Sequence, residues 1–265
     1  MPFFTNPMNF LDSLILGVVE GITEFLPISS TGHLILFGKI LNITEGEFLK
    51  SFDIVIQFGA ILAVVYLFPK RFFREWGTFK KITLAFIPTA ILGLIFYTFI
   101  KKYLLGNALV VLIALFVGGI IFIILEKFLA KKEIKKIDDG IEGVSLKQSF
   151  LIGLYQSLAM IPGVSRSAAT IFGGMLMGIS RKTIVEFSFL LAVPTMLAAT
   201  VLDVYKNFES FKDSQISILL VGFVVSFIVA VFAIKFLIRY VEKNNFIAFG
   251  VYRIIVAILF WIVLF

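Results

Sequence analysis

The sequence predicts an all-α polytopic membrane protein, with six transmembrane helices plus two re-entrant helical hairpins in an inverted-topology repeat. Three observations carry that prediction. Of the 265 residues, 60% are hydrophobic and only 15% are charged, and the mean hydropathy is +1.04. Apolar runs of about 20 residues, roughly one bilayer thickness of helix, recur at 52–68, 82–100, 106–126, 184–202, 216–234 and 246–265. Two further stretches, 10–41 and 148–180, are apolar but interrupted by polar residues, proline and glycine. Irregular backbone at membrane depth is tolerated only where protein buries it or it lines a cavity, so each stretch reads as two half-helices joined by a break.

Taken in order, the chain opens with MPFFTNPMNF, which has no basic region ahead of the apolar run; the N-terminus is therefore read as part of the fold rather than as a signal peptide. In 10–41, Pro27 ends the first half-helix, and Ser29, Ser30 and Thr31 are placed to cap a second running through HLILFGKIL. Loop 42–51, with Glu45, Glu47 and Lys50, leads to the first span. Segment 69–81 carries Lys70, Arg71, Arg74, Lys80 and Lys81 against Glu75, and 127–147 carries Lys127, Lys131, Lys132, Lys135, Lys136 and Lys147. Short basic loops of this kind stay cytoplasmic, and they account for the net charge of +7 without a nucleic-acid partner. In 148–180, Pro162 and Gly163 make the break, and Ser165 or Ser167 caps TIFGGMLMGI. Loop 203–215 mixes Asp203, Glu209 and Asp213 with two lysines and fits the outside. Threading six spans through these loops puts the first hairpin on the outer side, the second on the inner side and both termini outside. The absence of cysteine excludes disulfides and thiolate metal sites.

The expected organisation is a single membrane domain of two inverted repeats, approximately 10–126 and 148–265, joined by the basic loop 127–147. Gly17 and Gly153 each precede a polar residue by three positions, Glu20 and Gln156, and each half then reaches a proline and serines. FDIVIQFGAILAV from Phe52 matches FSFLLAVPTMLAA from Phe187, and Ser30 matches Ser165, both at an offset of 135. A fixed offset agrees with the inverted topology derived independently from loop charge.

Ionisable groups inside such a chain are expensive and point to function. Glu20 and Glu24, four apart, share one helix face. Beside a phosphate they could hold a divalent cation, Mg2+ or Ca2+, or orient a water or a histidine; otherwise they pair with basic groups or backbone N–H. His33, the only histidine, would by itself be a packing residue, but its proximity to Ser30 and the glutamates makes it a site residue. Two half-helix N-termini would meet near the midplane, where free N–H groups and positive dipole ends suit phosphate, and Arg166 adds a bidentate donor. Gln57 could reach the site or bond between helices. Arg253 is expected to pair with Glu186 or Glu242, or to snorkel, away from the site. Trp76 and Trp261 read as interfacial anchors. Gly17/Gly21 and Gly174/Gly178 have the spacing that permits close helix contact.

EGITEFLPISSTGH, followed by PGVSRSAATI, resembles the bacterial undecaprenyl-diphosphatase family, also called the bacitracin-resistance phosphatases, and the likeness extends over essentially the whole chain, FDIVIQFGAILAV included. One departure is Ala168, where glycine is often expected; alanine also permits close backbone approach. The resemblance implies six transmembrane helices with two re-entrant hairpins in interlocking inverted repeats, a site open to the outer face of the bacterial cell membrane, and hydrolysis of undecaprenyl diphosphate to the monophosphate. It implies catalytic roles for Glu20, Glu24, Ser30, His33 and Arg166, and substrate contacts from Ser29, Thr31, Ser165, Arg166 and Ser167. The expected chemistry is metal-assisted phosphoryl transfer with Glu20 and Glu24 on the cation. The nucleophile is His33, Ser30 or water, with His33 preferred because neutral imidazole needs no further base and Ser30 the runner-up. Membrane lipid is the surrounding partner, and a homodimer is compatible with the sequence. The rival reading is a transporter or flippase of polyprenyl phosphate or a small anion. Clustered carboxylates weigh against it, because anion transport gains little from them.

Overall fold

The computed structural model describes residues 8–44, 46–104, 107–131, 140–207 and 213–264, and among these all the regular elements are helices. Lys132, Lys135, Lys136, Glu45 and Glu209, read from sequence as loop charges, lie outside the described residues. Helix α1 (Phe10–Thr23) and α2 (Ser30–Ile40) form the first hairpin. They are followed by α3 (Glu47–Leu67), a short α4 (Pro69–Phe73), α5 (Trp76–Phe99) and α6 (Ala108–Lys131). Helices α7 (Leu146–Ser157) and α8 (Arg166–Leu176) form the second hairpin, ahead of α9 (Arg181–Asn207), α10 (Asp213–Lys243) and α11 (Ile247–Leu264). Six segments are long and apolar enough to cross a membrane: Phe48–Leu67, Trp76–Phe96, Ala108–Ala130, Arg181–Val201, Ile216–Lys243 and Ile247–Leu264. They fall where the apolar runs predict them, and the protein is a multi-pass membrane protein.

The hairpin helices are shorter, with 14 and 11 residues in α1 and α2 and 12 and 11 in α7 and α8. At about 1.5 Å per residue none reaches across a hydrocarbon core of about 30 Å, so they fit re-entrant hairpins. Each hairpin packs on the middle span of the other half: α1 against α10, and α7 against α5. Helices α3 and α9 pair with each other, as do α6 and α11. That is the pattern of a two-fold exchange between halves. Three spans in each half reverse the chain direction, so the second half is inverted relative to the first.

Small residues make this interlocking possible. A Cβ on Gly17 would stand 2.8 Å from the Gly222 carbonyl oxygen on α10, and a Cβ on Gly153 would stand 2.0 Å from that of Ala85 on α5. The two glycines that open the sequence repeat are thus the points where each hairpin touches the opposite half. Gly21 likewise admits Val229 at 2.7 Å, whereas Gly174 admits Ile184 at 2.3 Å and Gly178 turns the chain at φ 80°.

Trp76 and Trp261 are exposed on the outer surface of the bundle, consistent with interfacial anchoring. At the entrance to the second hairpin, Arg71 bonds Glu75 at 2.6 Å, Glu142 at 2.8 Å and Glu186 at 2.9 Å, while Lys81 donates to the carbonyls of Ile141 and Glu142. Glu142 accepts from its own backbone N–H and from Arg71, and these bonds hold its carboxyl below the ordinary carboxylate range against a smaller opposing effect of burial.

Candidate active site

The polar breaks of the two hairpins meet in one cavity of about 190 Å³, whose lining includes Glu24, Ser29, Ser30 and Thr31 from the first and Pro162, Gly163, Ser165 and Arg166 from the second. Ser29 and Ser165 are the N-caps of α2 and α8; their hydroxyls accept from the N–H groups of Gly32 and Ala168 at 3.4 and 3.2 Å. The sequence left the capping residue open in each hairpin, and the structure selects these two. Both sit at φ 74°, a left-handed conformation that serine rarely adopts. Such strain costs on the order of 1–3 kcal/mol and concentrates at functional sites. Here it turns the chain so that two helix N-termini face the same space.

Ser30 Oγ donates to Glu24 Oε2 at 2.5 Å, and Glu24 Oε1 accepts from Arg166 Nη2 at 3.3 Å. One carboxylate therefore joins the hydroxyl of the first hairpin to the guanidinium of the second. Arg166 Nη1 is held by the Ser188 carbonyl at 2.7 Å on α9, while its Nε has no hydrogen-bond partner among the described residues. Ser167 donates to the Leu26 carbonyl at 3.1 Å and lies 3.3 Å from Ser165 Oγ, so it clips the tips together behind the cavity.

Glu20 is completely buried behind this wall, and neither of its oxygens has a donor among the described residues. It lies against Glu24, with Asp53 of α3 close enough to repel it and Arg166 close enough to attract it. Adjacent ionised carboxylates have no proton to share, so they need a proton or a cation between them. Among the described residues no group of three or more His, Cys, Asp or Glu is gathered as a complete metal site.

His33 is buried with both ring nitrogens engaged, Nδ1 against the Ser29 carbonyl at 2.8 Å and Nε2 against the Tyr252 hydroxyl at 2.9 Å. A carbonyl only accepts, so the proton lies on Nδ1, and bare Nε2 takes the tyrosine proton. The His33 and Tyr252 rings lie nearly parallel at 5.7 Å. His33 is outside the cavity lining, as is Gln57, which is half-buried on α3.

Other placements were not foreseen. Asp53 escaped the sequence reading although a carboxylate inside an apolar span is itself a signal. Thr89, Gln156, Ala159, Met160, Thr195 and Met196 complete the cavity wall, with Gln156 donating to Thr89 at 2.8 Å. Arg253 corrects an expectation. Glu186 is taken by Arg71 and Glu242 by Lys182 at 2.6 Å, and Arg253 is fully buried against the hairpin tips instead of snorkelling.

The geometry defines the class: a polytopic membrane protein in which paired helix N-termini, with an arginine and a hydroxyl–carboxylate couple beside them, make a buried site suited to an oxyanion. The chain belongs to the family described as Bacitracin resistance protein BacA, which it matches over residues 13–259. Three relatives, each described as undecaprenyl-diphosphatase, come from a Sulfurihydrogenibium species, Persephonella marina and Aquifex aeolicus. They are 51%, 50% and 48% identical over 96% of this chain and 99%, 98% and 98% of their own lengths.

Proposed function

We propose that the chain hydrolyses undecaprenyl diphosphate to undecaprenyl phosphate and inorganic phosphate, recycling the lipid carrier of cell-wall synthesis and conferring resistance to bacitracin. The observation that carries this reading is the Ser30–Glu24–Arg166 chain of contacts at a cavity edge formed by two helix N-termini. The relatives' description points the same way.

The N–H groups of α2 and α8 and the guanidinium of Arg166, with its free Nε, hold the diphosphate oxygens. Ser30 Oγ attacks the terminal phosphorus while its proton passes to Glu24 Oε2. The bond to the bridging oxygen breaks, and undecaprenyl phosphate leaves with the electron pair and that proton. Glu24 then takes a proton from water as the water oxygen attacks the phosphoserine, and returns it to Ser30 Oγ as the serine–phosphorus bond breaks. Positioning and charge neutralisation supply most of the acceleration in reactions of this kind. This assignment prefers Ser30 over His33, whose nitrogens are both occupied outside the cavity; His33 fixes the first turn of α2.

The carboxylates fit a divalent cation. Glu20, with two oxygens lacking a donor among the described residues, and Glu24, through the Oε1 that it shares with Arg166, would hold Mg2+ or Ca2+. Such an ion would neutralise diphosphate charge and polarise its oxygens.

The site faces the cell exterior or periplasm, because the basic segments 69–81 and 127–147 mark the cytoplasmic side. Single cysteines at the exposed positions Thr31 and Ser145 test this in intact cells with a membrane-impermeant thiol reagent. Position 31 should label and position 145 should be protected until the membrane is permeabilised; the reverse would place the site inside. The activity itself is tested by phosphate release from a polyprenyl diphosphate by purified protein, with and without chelator. Metal-dependent release that Ser30→Ala abolishes is expected; no release under any metal condition would contradict the reading.

A further inference from the structure

Arg253 sits on α11, inside a span, and none of its side chain is exposed. Among the described residues its guanidinium donates only to backbone carbonyls, drawn from three separate parts of the chain. Nη1 donates to Pro27 at 3.2 Å in the first hairpin tip and to Val164 at 3.0 Å in the second. Nη2 donates to Gly163 at 2.9 Å and to Ala114 of α6 at 3.0 Å, and Nε to Leu115 of α6 at 3.3 Å. Carbonyls at a helix break have lost their helical donors, and inside a bilayer no water replaces them. A planar, always-charged fork with five N–H groups can serve five at once, where the three donors of a lysine could not.

The space for it is made by a glycine. A Cβ on Gly118 of α6 would stand 2.3 Å from Arg253 Nη2 and 2.9 Å from Cζ. One half of the chain thus carries the guanidinium and the other the void it occupies. The carbonyls it holds at the tips lie one or two residues before Ser29 and Ser165, the strained caps from which α2 and α8 begin.

We propose that Arg253 is a positioning residue for the phosphatase reaction, locking the two hairpin tips and α6 together so that the N-termini of α2 and α8 bring Ser30 and Arg166 to the same phosphate. The proposal rests on the phosphatase reading for its kinetic consequence, but not for its geometric one. Each tip keeps its own N–H donors when the lock is removed, so substrate binding changes little, whereas the line of attack between Ser30 and a phosphate held by Arg166 is lost. A misplacement of about 1 Å can cost on the order of a hundredfold in rate.

The test uses the full-length protein in detergent with a polyprenyl diphosphate, and three changes: Arg253→Lys, Arg253→Ala and Gly118→Ala. Lysine keeps the charge but cannot reach five carbonyls; Gly118→Ala keeps the arginine but drives it out of place. In both Arg253→Lys and Gly118→Ala, kcat should fall about 10- to 100-fold with KM within about threefold of wild type. Adding Gly118→Ala to Arg253→Ala should cost nothing further, because the truncated side chain leaves room for the methyl. Spin labels at the exposed positions Thr31 and Ile161, on the two tips, read the lock without turnover. One narrow distance is expected in the wild type and a broader distribution in both variants. Wild-type kcat in folded Arg253→Lys and Gly118→Ala, additive losses in the double variant, or an unchanged distance distribution would each overturn the proposal. No phosphate release by the wild type, together with a narrow distance in the wild type and broadening in both variants, would sink the phosphatase reading and leave the lock standing.

Discussion

The two hairpins share a backbone and divide the chemistry. Each has a Pro-containing break, a serine cap at φ 74° and an 11-residue second helix, and each packs by a glycine on the other half's middle span. The first carries Glu20, Glu24 and Ser30; the second carries Gln156, Ser165 and Arg166. Glu20 and Gln156 occupy matching places, yet Gln156 is hydrogen-bonded to Thr89 while Glu20 has no donor among the described residues. The scaffold therefore supplies anion-binding N-termini twice, and side chains break the symmetry. In the mechanism we propose, one hairpin holds the groups that move protons and attack, the other the group that grips phosphate oxygens.

The sharpest way to break the comparison is to remove the attacking group. Ser30→Ala should lower kcat by more than about 10³-fold, measured as phosphate release, with the protein still folded. Ser165→Ala, at the cap of α8 that answers to Ser29 in the first hairpin, should cost far less, of the order of the 1 kcal/mol typical of a lost cap. Next in size is Arg166→Lys, which keeps a charge but loses the planar two-pronged contact. A fall of about a hundredfold or more is expected, and full activity would reduce the second hairpin's part to a simple positive field.

The Glu20/Gln156 pair sharpens the contrast further. Glu20→Gln should cost about a hundredfold and change the metal demand of the reaction; unchanged activity and metal demand would show that this carboxylate is merely buried. Tyr252→Phe removes only the hydrogen bond to His33 Nε2, so a loss of about tenfold or less is expected. A loss matching that of Ser30→Ala would return His33 to the centre of the reaction.

The smallest effect is expected at the entrance to the second hairpin. The Glu142 carboxyl is held below its ordinary range, so the stability it contributes is present above the unfolded-state value, about 4.3, and is lost as pH falls through the lower folded value. The side chain is 64% exposed, so solvent screening limits the effect to about 1 kcal/mol or less. Thermal unfolding followed from neutral to acid pH should show wild type and Glu142→Gln converging at the acid end. A gap that widens with acid would have the sign wrong.

The spans and the breaks were legible in the sequence because hydropathy and proline act locally, and so were the carboxylates, serines and arginine that polar interruptions expose. The paired glycines were legible too, and Gly17 and Gly153 are both small where a Cβ would meet the backbone of the opposite half. What local pattern could not reveal was which partner each charge would find across the chain. Arg253 reaches carbonyls 89 and 226 residues away, so no periodicity announces it, and nearby glutamates offered an easier assignment. His33 looked available because its company was polar; that Tyr252 and the Ser29 carbonyl would consume both nitrogens depends on where α11 packs. Asp53 was visible as a carboxylate in an apolar run and was passed over.

The central claim is that Ser30 attacks the terminal phosphorus of a group held across both hairpins. The stereochemical course at that phosphorus tests it most directly, using a substrate made chiral there with oxygen isotopes and sulfur. Attack by Ser30 followed by attack by water inverts the centre twice, so the account predicts net retention, and Ser30→Ala should release no product. Net inversion would mean that water attacks directly and would contradict the account.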